Sequence, residues 1–170
     1  MGSPSSKSIV IGFLTVRPVD ETALRGGYLL TTEFGRPLEF HYTSELRVSH
    51  QQRLLYGPSF DSYIQAEVIA KPMTNRQSTA PRIIVVNRMP LLDLRRHIPA
   101  PVSCLLETQA KPEEPDSRPF RIEVHDEYPY DRAAFDKIQK LAAEGFDWLE
   151  PFERIEQALA EIREPGAIAA

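Results

Sequence analysis

The residues best placed to do chemistry lie in and beside a short turn near the N-terminus, where Glu33, Arg36, Glu39 and His41 fall close together. Glu39 and His41 are two residues apart in an alternating run, so a strand would put both side chains on one face. A carboxylate beside an imidazole can act as a general acid–base pair, and an arginine in the adjoining turn can hold an anion. Glu39 and His41 are therefore candidate catalytic residues, and Arg36 is a candidate binding residue. A polar sheet face that contacts water, a helix or a partner explains the same residues without catalysis, and we favour that interpretation.

A second group of chemically active side chains follows the last predicted strand. His125, Glu127 and Asp131 offer one imidazole and two carboxylates, which are suitable ligands for magnesium, manganese or zinc. An acidic loop that leads into a helix explains them equally well, because acidic residues near a helix N-terminus are favoured by the helix dipole. We favour the acidic loop and expect no metal or other cofactor, with these three residues as the alternative metal ligands.

A basic stretch lies further along the chain, with four arginines and one aspartate between residues 82 and 96. Arg88, Arg95 and Arg96 are candidate contacts to phosphate. No aromatic residue alternates with these arginines, as it would in a stacking site for single strands, and no glycine-rich phosphate loop is present. Nucleic acid is therefore a possible partner but not the favoured one.

The composition is that of an ordinary water-soluble domain, with 42% hydrophobic and 26% charged residues. The net charge of −4 provides no general attraction to nucleic acid. Cys104 is the one cysteine in the chain, so it forms no intramolecular disulfide, and its apolar surroundings predict a buried thiol. No apolar run approaches the roughly 20 residues that span a bilayer, so we expect no membrane association and a cytoplasmic protein.

The N-terminal half predicts β-structure. Residues 8–16 form an unbroken apolar run typical of a strand buried on both faces, and 20–25 reads as a loop. Residues 28–33 and 38–43 predict a hairpin joined by a turn at 34–37. Within its second strand, Leu38, Phe40 and Tyr42 alternate with polar residues, so we expect these three side chains in the core and Glu39 and His41 outside it.

The rest of the chain alternates helices and strands. Short helices are predicted from 49 or 50 to 56, at 60–70 and at 91–97, and strands at 82–86, 102–107 and 120–124. The order strand, short helix, strand predicts a right-handed crossover between parallel strands. Two C-terminal helices follow, one at 131–144 and one that begins at a capping box of Asp147 and Glu150. The second helix carries an apolar stripe of Phe152, Ile155, Leu159 and Ile162.

These elements predict a mixed α/β fold. It has a single mixed sheet with an N-terminal antiparallel hairpin, a β-α-β crossover and two C-terminal helices. We expect one globular domain at 8–163, with flexible termini at 1–7 and 164–170 and mobile loops at 74–81 and 109–119.

With no assembled active site, the sequence favours a non-catalytic protein-interaction module, a small subunit or adaptor of a bacterial multiprotein assembly. Its expected partner is another protein or a second copy of itself. Separate basic and acidic regions support this hypothesis, since residues 123–164 hold twelve acidic and five basic side chains. The first alternative is a small metal-dependent hydrolase or nuclease, and the second is an accessory protein that binds nucleic acid or phosphate.

Overall fold

A computed structural model describes residues 8–109 and 118–162. The predicted flexible termini and most of the predicted loop at 109–119 lie outside these residues. Within them the predicted fold class is confirmed, because one mixed sheet is flanked by helices. The strands are β1 (Val10–Pro18), β2 (Ala23–Thr32), β3 (Pro37–Tyr42), β4 (Leu46–Arg47), β5 (Ile83–Val86), β6 (Val102–Glu107) and β7 (Phe120–Val124).

The strand order of the sheet is β3-β2-β1-β5-β6-β7, with the short β4 also paired to β2. The first three strands form an antiparallel meander, whereas β1 and β5, and β5 and β6, run parallel. Strand β7 returns antiparallel to β6. The predicted hairpin is therefore β2–β3, and the predicted crossover joins β5 to β6. This order places β3 at one outer edge of the sheet.

The helical elements cover both faces. Helix α1 is His50–Tyr56, α3 is Asp131–Leu141 and α4 is Glu150–Glu161. A continuous helical segment, α2, consists of an α-helical start (Phe60–Ser62), a π-helical middle (Tyr63–Ala70) and an α-helical end (Lys71–Asn75). The predicted short helix before β6 is a 3₁₀ segment, Met89–His97.

Two hydrophobic clusters lie on opposite faces of the sheet. One contains Leu14, Tyr28 and Leu30 of the sheet and packs against α2 and the 3₁₀ segment. The other contains Phe13 and Leu29 and packs against α3 and α4. Strand β1 is buried from its first residue to Val16, as its unbroken apolar run predicts. The apolar stripe predicted on α4 is also confirmed, since Phe152, Ile155 and Leu159 are buried in the second cluster.

The predicted loop at 20–25 is wrong at its C-terminal end, because β2 already begins at Ala23 and includes Gly26 and Gly27. A Cβ atom at Gly26 would lie 2.3 Å from Cγ2 of Ile69 in α2. A Cβ atom at Gly27 would lie 2.4 Å from Cγ2 of Ile155 in α4. The two glycines are therefore strand residues over which helices approach closely from opposite faces, which propensity alone does not reveal.

Three helix ends differ from their predictions. Segment α2 continues to Asn75, with Pro72 just after the junction between its π-helical middle and its last α-helical part. Helix α3 ends at Leu141 rather than 144, since the N–H of Ala143 leaves the helix and donates to the carbonyl of Glu33. Helix α4 begins at Glu150, with the carboxylate of Asp147 accepting from the N–H groups of residues 149 and 150.

Cys104 is buried in β6, as its apolar surroundings predict. Burial raises the pKa of its thiol to about 12, with the nearby Glu123 carboxylate acting in the same direction. None of the helices described is both long and apolar enough to cross a membrane.

The close approach at Gly27 makes the first prediction. Gly27→Ala should lower the free energy of unfolding by about 1–3 kcal/mol, because the new methyl group overlaps Ile155 in a packed core. Urea denaturation followed by circular dichroism measures this loss. As the control, a double-mutant cycle with Ile155→Ala should show that the two losses are not additive. Full additivity would contradict the proposed contact.

Candidate functional site

A row of exposed side chains follows the turn and strand β3. Phe34 is 74% exposed, Leu38 46%, Phe40 37% and Tyr42 46%. The rings of Phe40 and Tyr42 are neighbours, with centroids 6.0 Å apart and planes at 33°. We call Phe34, Arg36, Leu38, Phe40 and Tyr42 the aromatic row.

The expectation that Leu38, Phe40 and Tyr42 enter the core is wrong. Phe40 pairs across the sheet with Leu29, on the same face as α4. Helix α4, however, packs over β1 and β2, where Gly27 admits Ile155. Strand β3 lies beyond that cover at the edge of the sheet. Its apolar face is therefore left to solvent.

Arg36 is held at the start of the row by the turn. Gly35 has a φ of 78°, a left-handed conformation that favours glycine. The carbonyl of Arg36 accepts from the N–H of Thr32, and the side-chain oxygen of Thr32 accepts from the N–H of Arg36. The Arg36 side chain is exposed and has no ion-pair partner among the residues described. Its guanidinium is therefore available to an anion.

Glu39 and His41 lie on the opposite face of β3. Both side chains are half-buried, whereas the sequence predicts that they lie outside the core. Their side chains are 17% and 19% exposed, and Oε1 of Glu39 lies 3.9 Å from Nε2 of His41. The Glu39 carboxylate accepts from the N–H groups of Ser78 and Thr79, at 2.9 and 3.2 Å. The pair thus ties the segment after α2 to the edge strand.

Two pKa values shift in this region. Burial raises the pKa of Glu39, but the N–H donors of Ser78 and Thr79 outweigh it and leave the pKa below its ordinary value. Burial, followed by the charge of Glu39, raises the pKa of Tyr28. The hydroxyl of Tyr28 donates to Oε1 of Gln77 at 2.7 Å, so it serves as a neutral donor.

A groove of about 610 Å³ runs between β3 and the end of α2. His41, Tyr42, Met73 and Arg76 are among the residues that line it. Glu33 is the remaining member of the polar group that the sequence places near the turn. It points away from the groove, since its carboxylate accepts from the N–H of Ile9. The structure therefore brings Glu39 and His41 together beside a groove, with Arg36 on the exposed row.

The candidate phosphate contacts of the basic stretch are largely engaged within the chain. Nε of Arg95 donates to Oδ2 of Asp131 at 2.9 Å, and its guanidinium lies 4.1 Å from the centroid of the Tyr128 ring. Arg96 makes two hydrogen bonds to the carboxylate of Glu127, at 2.6 and 3.0 Å. These bonds and the charge of Glu127 raise the pKa of Arg96. Arg88 comes directly before the 3₁₀ segment and is partly exposed.

The candidate metal ligands are held apart by the same contacts. His125 lies 3.2 Å from Asp93, through Nε2 and Oδ1. Glu127 is bound to Arg96, and Oδ2 of Asp131 also accepts from the N–H of Val102 at 3.1 Å. Across residues 8–109 and 118–162, no group of three or more His, Cys, Asp or Glu side chains is arranged to hold a metal ion.

Sequence reasoning missed one polar contact at the carboxyl ends of the central strands. The hydroxyl of Thr15 in β1 donates to Oδ1 of Asn87, the residue after β5, at 2.7 Å. This is where ligands usually bind in open α/β sheets. A cavity of about 300 Å³ beside Asn87 is lined in part by Glu107, Glu153 and Glu156. The sequence signal that could have revealed this contact is a polar residue, Asn87, directly after the buried strand β5.

Comparisons with known proteins give only structural likeness. No family model matches the chain, and no curated protein matches it by sequence. Endonuclease V of Ciona intestinalis, bound to a 24mer DNA with an inosine followed by a ribo-adenosine, matches 84% of this chain with 10% identity and a TM-score of 0.41. A variant of that enzyme with a 23mer DNA matches 84% of this chain with 9% identity and a TM-score of 0.44. Endonuclease V of Bacillus subtilis matches 60% of this chain with 10% identity and a TM-score of 0.39.

The chain spans about 61% of the length of the Ciona enzyme and 46% of the Bacillus one. Identities near 10% and TM-scores below 0.5 limit the likeness to the fold, so no residue of those enzymes has a counterpart assigned here.

The prediction of a non-catalytic protein-interaction module is wrong, together with its assignment as an adaptor or complex subunit. The solved structures that the chain resembles in fold are structures of Endonuclease V, not of an adaptor or complex subunit.

The lowered pKa of Glu39 makes the second prediction. A carboxylate whose folded pKa is depressed stabilises the fold above its unfolded pKa, and this contribution is lost as the pH falls through the folded pKa. Glu39→Gln should therefore be less stable than the wild type at about pH 7, and the difference should shrink towards about pH 3. Urea denaturation across that range measures it. Glu21→Gln, in an exposed loop, is the control, and a pH-independent difference for Glu39→Gln would contradict the assignment.

Proposed function

We propose that this protein binds single-stranded nucleic acid on the aromatic row. One observation carries the proposal: the neighbouring rings of Phe40 and Tyr42 are exposed on a strand that begins beside Arg36, an exposed arginine with no ion pair within residues 8–109 and 118–162. The sequence pointed to the arginines at 82–96 for this role. The turn and strand β3 support this role better, because aromatic and cationic side chains occur together there.

Stacking explains why this arrangement suits nucleic acid. Unpaired bases stack on aromatic side chains of exposed sheet surfaces, and each stacked base contributes about 1–3 kcal/mol. The centroids of Phe40 and Tyr42 are 6.0 Å apart, so each ring can receive its own base. Phe34, the most exposed member of the row, lies in the turn at its other end.

The proposed ligand is single-stranded because the bases of a duplex already stack on one another and offer no free faces to a protein side chain. The charge of the protein agrees with this choice. A net charge of −4 gives no general attraction to a duplex backbone, so binding must come from stacking and from a few local phosphate contacts. Arg36 is the cation placed to make one of them.

The third prediction concerns affinity. Phe40→Ala and Tyr42→Ala should each weaken binding of a fluorescent 12-nucleotide single strand by about 5- to 150-fold, since each removes one stacking ring. Fluorescence anisotropy measures the dissociation constants. The control is Tyr130→Ala, which removes a still more exposed ring far along the chain at the start of α3. Equal losses in all three variants would show that the row has no special role.

Arg36→Ala should weaken the same binding and reduce its dependence on salt, because one phosphate contact and its released counterion are lost. Arg132→Ala, which removes an exposed arginine without an ion pair among the residues described, is the matched control and should leave the salt dependence unchanged. A salt dependence identical to that of the wild type in Arg36→Ala would exclude the proposed phosphate contact.

A second candidate function, phosphodiester hydrolysis, is supported by the Glu39–His41 pair beside the groove. A neutral imidazole can take a proton from a ribose 2′-hydroxyl or from water, and a neighbouring carboxylate stabilises the imidazolium that forms. Arg76 lines the same groove, where its guanidinium could hold a phosphate. The groove lies on the face of β3 opposite the aromatic row, so a substrate strand reaches His41 and Arg76 in the groove and not on the row.

The fourth prediction tests this chemistry. If the pair is catalytic, the protein cleaves a single-stranded RNA, and His41→Asn slows cleavage by about 100- to 10,000-fold while its thermal unfolding stays close to that of the wild type. His50→Asn, an exposed histidine of α1, is the matched control and should cleave normally. Binding without cleavage would reject hydrolysis by this pair and leave the binding proposal intact.

As part of the proposal we place the protein in the cytoplasm. Cys104 is a free, buried thiol, a state that persists in reducing compartments. Measuring the distribution of a tagged chain between cell fractions tests this location.

A further inference from the structure

Among the strands that the structure describes, none pairs with the outer edge of β3. The N–H of Thr43 donates to the carbonyl of Gly26 at 3.0 Å, and donors in an antiparallel ladder alternate between the two sides of a strand. The N–H and C=O groups of Phe40 and Tyr42 therefore point away from β2. In the part of the chain that the structure describes, no backbone or side-chain group bonds to them.

Such an edge is a template for another strand, and proteins usually protect it with charges, prolines or bulges. Here the protection lies at one end only. Pro37 is the first residue of β3, and the one irregularity of its register with β2 falls between Leu30 and Thr31. The middle of the strand keeps a free backbone edge flanked by the exposed side chains of Phe40 and Tyr42.

We propose that a second copy of this chain pairs with that edge, β3 against β3 in antiparallel orientation, with Phe40 on the two-fold axis. This register places the outward N–H and C=O groups of Phe40 opposite those of the same residue in the second copy, as a hydrogen-bonded pair requires. Glu39 then lies opposite His41 of the second copy, twice by symmetry. A carboxylate and an imidazole N–H at directly paired positions can hydrogen-bond across the two strands and so stabilise the sheet.

Another register would lose this complementarity. With His41 on the axis, two imidazoles would face each other and Glu39 would lie opposite Thr43, so the carboxylate–imidazole pairing would be lost. The pairing of Glu39 with His41 therefore favours a second copy as the partner and Phe40 on the axis as the register. A two-fold interface of this kind is closed, so it ends with the dimer and does not extend into a fibre.

Pairing through the backbone edge leaves the faces of the sheet open. The aromatic rows of the two copies would then lie side by side on one continuous sheet, with two Phe40 and two Tyr42 rings. A role for this doubled surface in binding nucleic acid rests on the proposed function, whereas the dimer itself does not. If the function is correct, the dimer offers one single strand a surface twice as long.

The fifth prediction uses charge at the two-fold axis and needs no nucleic acid. By light scattering after size exclusion, the wild-type full-length chain should be a dimer. Phe40→Lys alone and Phe40→Glu alone should be monomers, because each places two like charges opposite one another, about 5 Å apart. An equal mixture of the two variants should recover the dimer as a heterodimer, because lysine then faces glutamate.

The matched control is Phe34→Lys or Phe34→Glu, at an exposed ring outside the paired strand, which should remain dimeric. Tyr42→Pro is a second disrupting variant, since it removes an outward N–H and spares the ladder with β2. A wild-type monomer at about 100 µM would overturn the proposal. So would a Phe40→Lys variant that stays dimeric, or a mixture of the two charged variants that stays monomeric. A wild-type dimer that binds no single-stranded nucleic acid would reject the proposed function alone.

Discussion

The close packing of two helical layers against β1 and β2 is the constraint on which the rest of this structure depends. Gly26 and Gly27 allow α2 and α4 to approach β2 from opposite faces, at positions where a methyl group would overlap Ile69 or Ile155. Because α4 packs over β1 and β2, its layer does not extend over the outer strand. The same packing that buries the centre of the sheet leaves the apolar side of β3 in solvent.

The polar groups around this core divide into two kinds. Arg95, Arg96 and their carboxylate partners join the 3₁₀ segment to the start of α3, and the partly buried pair of Arg95 and Asp131 makes that junction specific. Glu39 similarly fastens the segment after α2 to β3. Arg36 differs from these groups, because its side chain extends from a turn without an ion-pair partner among the residues described. The candidate site is thus defined as much by which charges remain unengaged as by the aromatic rings.

Most of the fold could be predicted from the sequence, since its strands and helices have strong periodic signals. The continuous apolar run of β1, the crossover from β5 to β6 and the stripe of α4 were all recognisable. The candidate site was much less predictable. Alternation along β3 separates Phe40 and Tyr42 from Glu39 and His41, but alternation alone does not say which face is covered. The start of β2 was also missed, since glycines in a strand look like a loop until the approaching helices are known.

The sequence by itself determined which residues of this protein share a face, where the chain turns and which strands are buried. These properties follow from local backbone geometry and from the burial of apolar runs. Only the tertiary structure decided that β3 is an edge strand, that its aromatic face is open and that its carboxylate–imidazole pair is half-buried. The physical reason is that exposure depends on how far a helical layer extends over the sheet. That extent is set by contacts such as Gly27 with Ile155, which are distant in the sequence.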